Sequence, residues 1–186
     1  DFISNTTTAN DGGGRDADAS DPGDWNTAGQ CGTGSPASNS SWHGTHVAGT
    51  AAALTNNSTG GAGTAPEAKL VHARVLGRCG GSTSDIADAV IWASGGTVSG
   101  VPANANPAEV INLSLGGSGS CGTTMQNAIN GAVARGTTVV IAAGNSNANV
   151  SGFTPANCAN VVAVGSITST GARSSFSNYG AGVDIA

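Results

Sequence analysis

From residue 43 onward, short apolar runs alternate with segments of helical pattern. Four runs, each six or seven residues long and rich in β-branched side chains, occupy residues 70–76, 110–115, 138–143 and 161–167. Such runs are typical of strands buried on both faces of a parallel sheet. Helical patterns precede or separate them at residues 46–54, 84–94 and 123–135. The alternation predicts an α/β domain in which helices flank a mainly parallel sheet.

Residues 1–42 differ in composition from the rest of the chain. Polar side chains dominate there, and turn-forming residues recur, among them three consecutive glycines at 12–14 and the pair Pro22 and Gly23. This segment is predicted to be rich in loops. A chain of 186 residues fits one domain with a sizeable core. We therefore interpret residues 1–186 as one domain, with its α/β core over residues 43–186.

Charge and composition exclude several classes of function. Only 9% of the residues are charged, against a norm of about 25%, which argues against a coiled coil or helical bundle. The chain carries six Lys and Arg residues, a formal net charge of −5 and a pI of about 4.8. A nucleic acid is therefore not an expected partner. Because no apolar run approaches the roughly 18 residues that span a bilayer, a membrane is not expected either.

The four cysteines are widely spaced and include no pair two residues apart. Zinc ligands usually come in close pairs, so this spacing disfavours a zinc site. An even cysteine count beside a single lysine and many Ser, Thr and Asn residues favours a secreted, extracellular protein with two disulfides. Four buried thiols in a cytosolic protein are the alternative. The chain starts at Asp1 without Met, which we interpret as processing or truncation.

Residues 43–50, His-Gly-Thr-His-Val-Ala-Gly-Thr, form the most informative motif. A lone histidine at a helix start is more often a capping or core residue than a functional one. A zinc site at His43 and His46 fails on spacing, because helical zinc pairs lie four residues apart with a Glu between them. The whole string resembles the histidine motif of the subtilisin-like serine proteases, the subtilases. Residues 111–116 and 140–145 resemble that family's substrate-binding strand and oxyanion segment, and the similarity extends over residues 1–186.

The resemblance implies a role for each matching residue. His43 would be the general base that takes the proton of a serine nucleophile and returns it to the leaving amine. Asn145 would donate its side-chain amide to the oxyanion of the tetrahedral intermediate. The implied fold is a three-layer α/β fold with a mainly parallel sheet flanked by helices. A peptide or protein substrate would bind along the cleft residues Ser114, Leu115, Gly116, Ala142, Ala143 and Gly144.

Two members of the family's catalytic triad have no counterpart in the chain. The triad runs in the order Asp, His, Ser. No Asp-Ser-Gly or Asp-Thr-Gly triplet precedes His43, and the chain ends before a Gly-Thr-Ser-Met-Ala motif. Residues 122–125, Gly-Thr-Thr-Met, imitate that motif in the wrong place, and we interpret Thr123 or Thr124 as a helix cap. The chain is thus interpreted as the central portion of a subtilase catalytic domain.

Two hypotheses about activity remain open at this point. In the first, flanking segments or a second chain supply the Asp and Ser to a secreted serine endopeptidase, and this chain alone is inactive. In the second, the chain is a catalytically inactive fragment or decayed relative that folds, or binds peptides, without cleaving them.

Four cysteines allow three pairings, of which we predict Cys31 with Cys79 and Cys121 with Cys158. Cys79 follows the predicted strand at 70–76, and Cys31 lies in the long loop before His43, so both can reach one rim of the domain. Cys121 precedes the third predicted helix, and Cys158 lies in the loop before the last predicted strand.

Five of the eleven acidic residues fall between Asp11 and Asp24, beside Gly-rich turns. Crowded carboxylates on a flexible loop suit Ca²⁺, although the spacing is not that of an EF-hand. We predict a structural calcium site formed by Asp11, Asp16 and Asp21, with Arg15 contributing its backbone carbonyl. A solvated acidic loop is the alternative.

Overall fold

Three strands pair in parallel, as the apolar runs predict. They are β1 (Val110–Leu113), β3 (Thr138–Ala142) and β5 (Val162–Val164), in the order β1–β3–β5. A separate antiparallel pair joins β2 (Gly117–Ser118) to β4 (Phe153–Thr154). This small pair has no counterpart among the predicted elements, because two-residue strands carry no periodic pattern.

The computed structural model describes every residue from Asp1 to Ala186. The chain divides into two compact units, Asp1–Ala89 and Val90–Ala186, and the boundary falls inside helix α3 (Thr83–Ala93). The assignment of residues 1–186 to one domain, loop-rich over 1–42, stays a prediction.

The core of the second unit lies between the parallel sheet and helix α4 (Thr123–Ala134). Alternate residues of the strands are buried, among them Leu113 and Ile141, and one face of α4 is buried as well. The intervening strand residues are exposed or half-buried, Val110 being 58% exposed. The strands of this unit therefore bury one face rather than the two that their apolar runs predict, because α4 packs against β3 and covers one side only.

Three helices, α2 (His43–Ala52), α3 and α4, lie close to their predicted positions. The short α1 (Thr6–Ala9) and a 3-10 turn at Val150–Gly152 have no counterpart among the predicted elements. Helix α2 begins at His43, three residues before its predicted start. Gly122 is the N-cap of α4, so the predicted cap at Thr123 or Thr124 is wrong. None of these helices has the length and apolar character needed to cross a membrane.

The predicted strand at residues 70–76 is wrong. The segment has no strand assignment, and its one backbone hydrogen bond to another segment runs from Phe2 N–H to the Arg74 carbonyl at 2.9 Å. Leu70 and Val71 are 44% and 42% exposed. A strand exists only with a ladder of hydrogen bonds to a neighbour, and apolar, β-branched composition alone does not supply that neighbour.

Ion pairs of two arginines organise the first unit. Arg74, 5% exposed at its side chain, forms an ion pair with the Asp1 carboxylate and lies 3.0 Å from that of Asp11. Arg15 pairs at 2.7 Å with both Asp85 and Asp88 of helix α3. Burial would raise the pKa of Asp85, but donors from Ser4, Arg15 and Ser82 outweigh it and hold that pKa below its ordinary value. The loops before Trp25 are thus tied to α3 by charge.

Both disulfides have the pairing that the sequence predicts. Cys31 is bonded to Cys79, and Cys121 to Cys158, with Cα–Cα distances of 5.2 and 5.1 Å. No cysteine is free. The second bridge joins the segment after β2 to the segment after β4, and so links the two strands of the small antiparallel pair covalently.

Replacing Cys121 and Cys158 together by Ser should lower the free energy of unfolding of the complete protein by about 4 kcal/mol, the chain-entropy value for a loop of this size. The bridge spans 37 residues, and its removal gives the unfolded chain more conformations. Urea unfolding under oxidising conditions measures the change. The matched control replaces Cys31 and Cys79, which span 48 residues and should cost a similar amount. Peptide mapping without reduction that linked Cys31 to Cys121 would contradict the pairing.

Candidate active-site cleft

A cleft of about 370 Å³ opens at the carboxyl ends of β1 and β3. The chain leaves β1 into Ser114 and Leu115, and β3 ends at Ala142 directly before the segment that carries Asn145. Since parallel strands end at the same edge of a sheet, both exits line one cleft. The structure thereby brings together all seven residues predicted for this edge: Ser114, Leu115, Gly116, Ala142, Ala143, Gly144 and Asn145.

The opposite wall of the cleft was not found by sequence reasoning. It is formed by β4 and its neighbourhood, with Phe153, Thr154 and Ala156 facing the space. A Cβ at Gly116 would lie 3.0 Å from the Thr154 carbonyl oxygen, so the two walls approach closely at this point. The only sequence signal for such an approach is the pair of glycines at 116 and 117, which is too common in loops to be specific.

Asn145 presents an unpaired amide. Its residue is exposed, and its side chain makes no hydrogen bond to any other residue of the chain. The residues on either side are held firmly, since Ala143 N–H donates to the Val164 carbonyl at 2.8 Å and Asn147 N–H donates to the Phe176 carbonyl at 2.8 Å. The Asn145 amide is therefore available to a ligand while its neighbours are fixed.

His43 lies in the first unit, as the first residue of α2, and is exposed. Trp42 before it adopts a left-handed conformation, with φ of 52°, and supplies no side-chain cap. The amide of His43 instead donates to Ser41 Oγ at 3.3 Å. The Asp24 carboxylate accepts hydrogen bonds from the amide and hydroxyl of Ser41, at 2.6 and 2.7 Å. Asp24 thus anchors the turn that leads into His43.

The anchor depends on the charge of Asp24. Burial acts to raise the pKa of this carboxyl, but the Ser41 hydroxyl and amide favour the charged form more strongly, and the pKa lies below its ordinary value of 3.8.

The residues predicted to bind calcium do not gather around one point. Asp11 and Asp21 lie 3.0 and 3.7 Å from the Arg74 guanidinium, and Asp16 accepts from the amide of Asp18 at 2.8 Å. No group of three or more His, Cys, Asp or Glu side chains is arranged to hold a metal ion. Arg74, distant in sequence, supplies the positive charge that the prediction assigned to calcium. Calcium binding stays a prediction.

The structure is that of an α/β protein with a cleft at the strand ends of a parallel sheet. Residues 3–186 match the family described as "Subtilase family". The chain is 72% identical to an "Extracellular protease" of Xanthomonas campestris pv. campestris, and 49% identical to an "Extracellular basic protease" of Dichelobacter nodosus. Each match covers the whole chain and 32% of the relative, so the chain spans about a third of their length.

Solved structures agree with the sequence match. A structure described as proteases from Pseudoalteromonas arctica superimposes with a TM-score of 0.97 at 63% identity, covering all of this chain and 55% of the other. The structure of a cold-adapted subtilisin-like serine proteinase matches with a TM-score of 0.61 at 39% identity. That match covers 77% of this chain and 47% of the other. The chain belongs to the subtilase family and has its α/β fold.

Acid should release the Asp24 anchor. A carboxyl whose pKa is lowered by folding stabilises the fold above its ordinary pKa, and this contribution is lost as the pH falls through the lower, folded-state value. A double-mutant cycle of Asp24→Asn and Ser41→Ala, measured by calorimetry on the complete protein, should give a coupling of about 1 kcal/mol at pH 6. At pH 2 the coupling should be smaller, because protonation removes the charge that strengthens these hydrogen bonds. A coupling that was equal at both pH values would contradict the role of the charge.

Proposed function

We propose that the complete protein is a secreted serine endopeptidase that hydrolyses peptide bonds by Asp-His-Ser catalysis. In this chain, His43 is the general base and Asn145 the oxyanion donor. The observation that carries the proposal is the cleft, in which the unpaired amide of Asn145 lies among the six residues predicted to bind the substrate backbone. The names of the extracellular relatives and the two disulfides support secretion.

The cleft suits an extended peptide. The exposed exits of β1 and β3 offer backbone groups to a strand laid between them, which is the mode of recognition by strand addition. Ala142 and Gly144 leave room above this strand for a large apolar side chain. Phe153 and Ala156 add an apolar lining to the opposite wall. Peptides and proteins are therefore the proposed substrates, and neither a nucleic acid nor a membrane is a proposed partner.

Asn145 acts on the charge that develops during reaction. When a nucleophile adds to the scissile carbonyl, the oxygen becomes an oxyanion, and a preorganised amide stabilises it more than it stabilises the ground state. The freedom of the Asn145 amide from internal hydrogen bonds supports this role. His43, exposed at the start of α2, is accessible for proton transfer.

The nucleophilic serine and the orienting aspartate come, in this proposal, from flanking segments or from a second chain. The chain alone is then inactive, because the members of a triad act as a unit. A catalytically inactive chain that binds peptides without cleaving them is the competing function, and the experiments below separate the two.

Two substitutions in the complete protein test the catalytic roles. His43→Ala should lower kcat by roughly 10⁴-fold or more, because the nucleophile loses its base. Asn145→Ala should lower kcat by about 10²–10³-fold with little change in KM, a magnitude taken from subtilisin itself. His72→Ala, another exposed histidine, is the matched control and should leave kcat unchanged. Hydrolysis of an extended chromogenic peptide is measured, with the isolated 186-residue chain expected to show no turnover.

A fluorophosphonate probe separates the two functions. Labelling of a serine outside residues 1–186 supports the endopeptidase, whereas labelling of Thr123, Thr124 or any serine within the chain contradicts it. Undiminished hydrolysis by His43→Ala would also contradict it. Peptide binding by the complete protein with neither labelling nor turnover would establish the inactive alternative.

Calcium binding by the loop that contains Asp11, Asp16 and Asp21, with the Arg15 carbonyl, is a separate proposal. The hard oxygen ligands and Gly-rich turns of this loop support it. Because Arg74 contacts two of these carboxylates, calcium would have to compete with the guanidinium.

Calorimetric titration of the complete protein with CaCl₂ after chelation tests this proposal. Binding should raise the free energy of unfolding by about 2.7 kcal/mol at a calcium concentration one hundred times Kd. Asp16→Asn should weaken binding, and Asp18→Asn, an exposed neighbour in the same loop, is the control. No heat of binding and an unchanged Tm after chelation would end the proposal.

A further inference from the structure

Asn178 is a completely buried amide beneath the segment that carries Asn145. The residue is 1% exposed, and every polar atom of its side chain is engaged. Its Oδ1 accepts from the amides of Ser146 and Ala148, at 2.9 and 3.1 Å, and its Nδ2 donates to the Ala143 carbonyl at 2.8 Å. Its own backbone N–H donates to the Gly144 carbonyl at 2.9 Å.

These four hydrogen bonds enclose Asn145 on both sides. Two of them end on the residues before it, and two come from residues shortly after it. The side chain of Asn145 itself bonds to nothing in the chain. The flanking backbone therefore sets the direction in which the Asn145 side chain leaves the chain, and Asn178 is the side chain that holds this backbone.

The site accepts an asparagine side chain and no common replacement. An aspartate keeps both acceptor contacts but places an oxygen against the Ala143 carbonyl, where Asn178 has a donor. A serine is too short to reach both sides of the segment, and a glutamine carries an extra methylene into a site that is closed to solvent. Gly144, with φ of +107°, completes the fit, because a Cβ there would overlap Asn178 Nδ2.

We propose that Asn178 is the positioning residue for the oxyanion donor. It fixes the backbone from Ala143 to Ala148 so that the Asn145 amide is aimed at the developing oxyanion before substrate arrives. The inference rests on the proposed role of Asn145. A buried amide that served stability alone would affect folding without acting through Asn145.

The test is a double-mutant cycle on kcat in the complete protein. Asn178→Asp, which keeps the size of the side chain, should lower kcat by about 10²-fold, the cost of a small misplacement of a reacting group. KM should change little. In the Asn145→Ala background the same substitution should have almost no effect on kcat, since no donor remains to be positioned. Asn178→Ser is the second variant and should behave alike.

Thr137→Val is the matched control for stability. Thr137 is also buried, at 4% exposed, and donates a hydrogen bond to the Ala108 carbonyl at 2.7 Å, but it does not line the cleft. All variants are assayed well below their own Tm. The control should lower Tm without lowering kcat.

The outcomes separate the two proposals. If Asn145→Ala leaves kcat unchanged, the proposed role of Asn145 fails, and the positioning role fails with it. If Asn145→Ala lowers kcat while the Asn178 variants leave kcat unchanged, or lower it equally in both backgrounds, only the positioning role is overturned. A loss of kcat in the Thr137 control equal to that of Asn178→Asp would also overturn it, by showing that lost stability accounts for the effect.

Discussion

The register between β1 and β3 is the constraint on which the cleft depends. Leu113 pairs with Ile141, and both side chains are buried on the side of the sheet that α4 covers. A slip of one residue would turn every core side chain of a strand to the other face, so burial specifies this pairing strongly. With the register set, Ser114, the first residue after β1, lies level with Ala142, the last residue of β3. The two segments that line the cleft therefore begin side by side.

The ion pairs of this chain join residues that are far apart in sequence. Arg74 reaches Asp11 across 63 positions, and Arg15 reaches Asp85 across 70. Burying such pairs adds little net stability, since desolvation offsets most of the attraction, but removing one partner leaves an uncompensated charge. Few residues of this acidic chain are charged, but electrostatics still contributes to its structure. Its arginines act mainly as links between segments that are distant in sequence.

The sequence could predict what depends on neighbours along the chain. Helix α3 was found within a residue of its bounds because its apolar period and the glycine that follows it are local signals. The strand predicted at residues 70–76 is absent because a strand needs a partner segment to pair with. An apolar run gives no information about that partner. Asn178 was missed for the same reason. Its partner Ser146 lies 32 positions away, and nothing in the composition around it marks a buried amide.

The disulfide between Cys121 and Cys158 makes the shape of the cleft depend on whether the surrounding medium is oxidising or reducing. Strands β2 and β4 pair over only two residues each, and β4 forms part of the wall opposite β3. Such a short pairing is marginal without further support. In an oxidising medium the disulfide supplies that support. In a reducing medium only the two residue pairs between β2 and β4 would hold this wall in place. A copy of the protein with this bridge reduced would therefore have a loosened cleft, and the cleft would reach its full rigidity only once the bridge is oxidised.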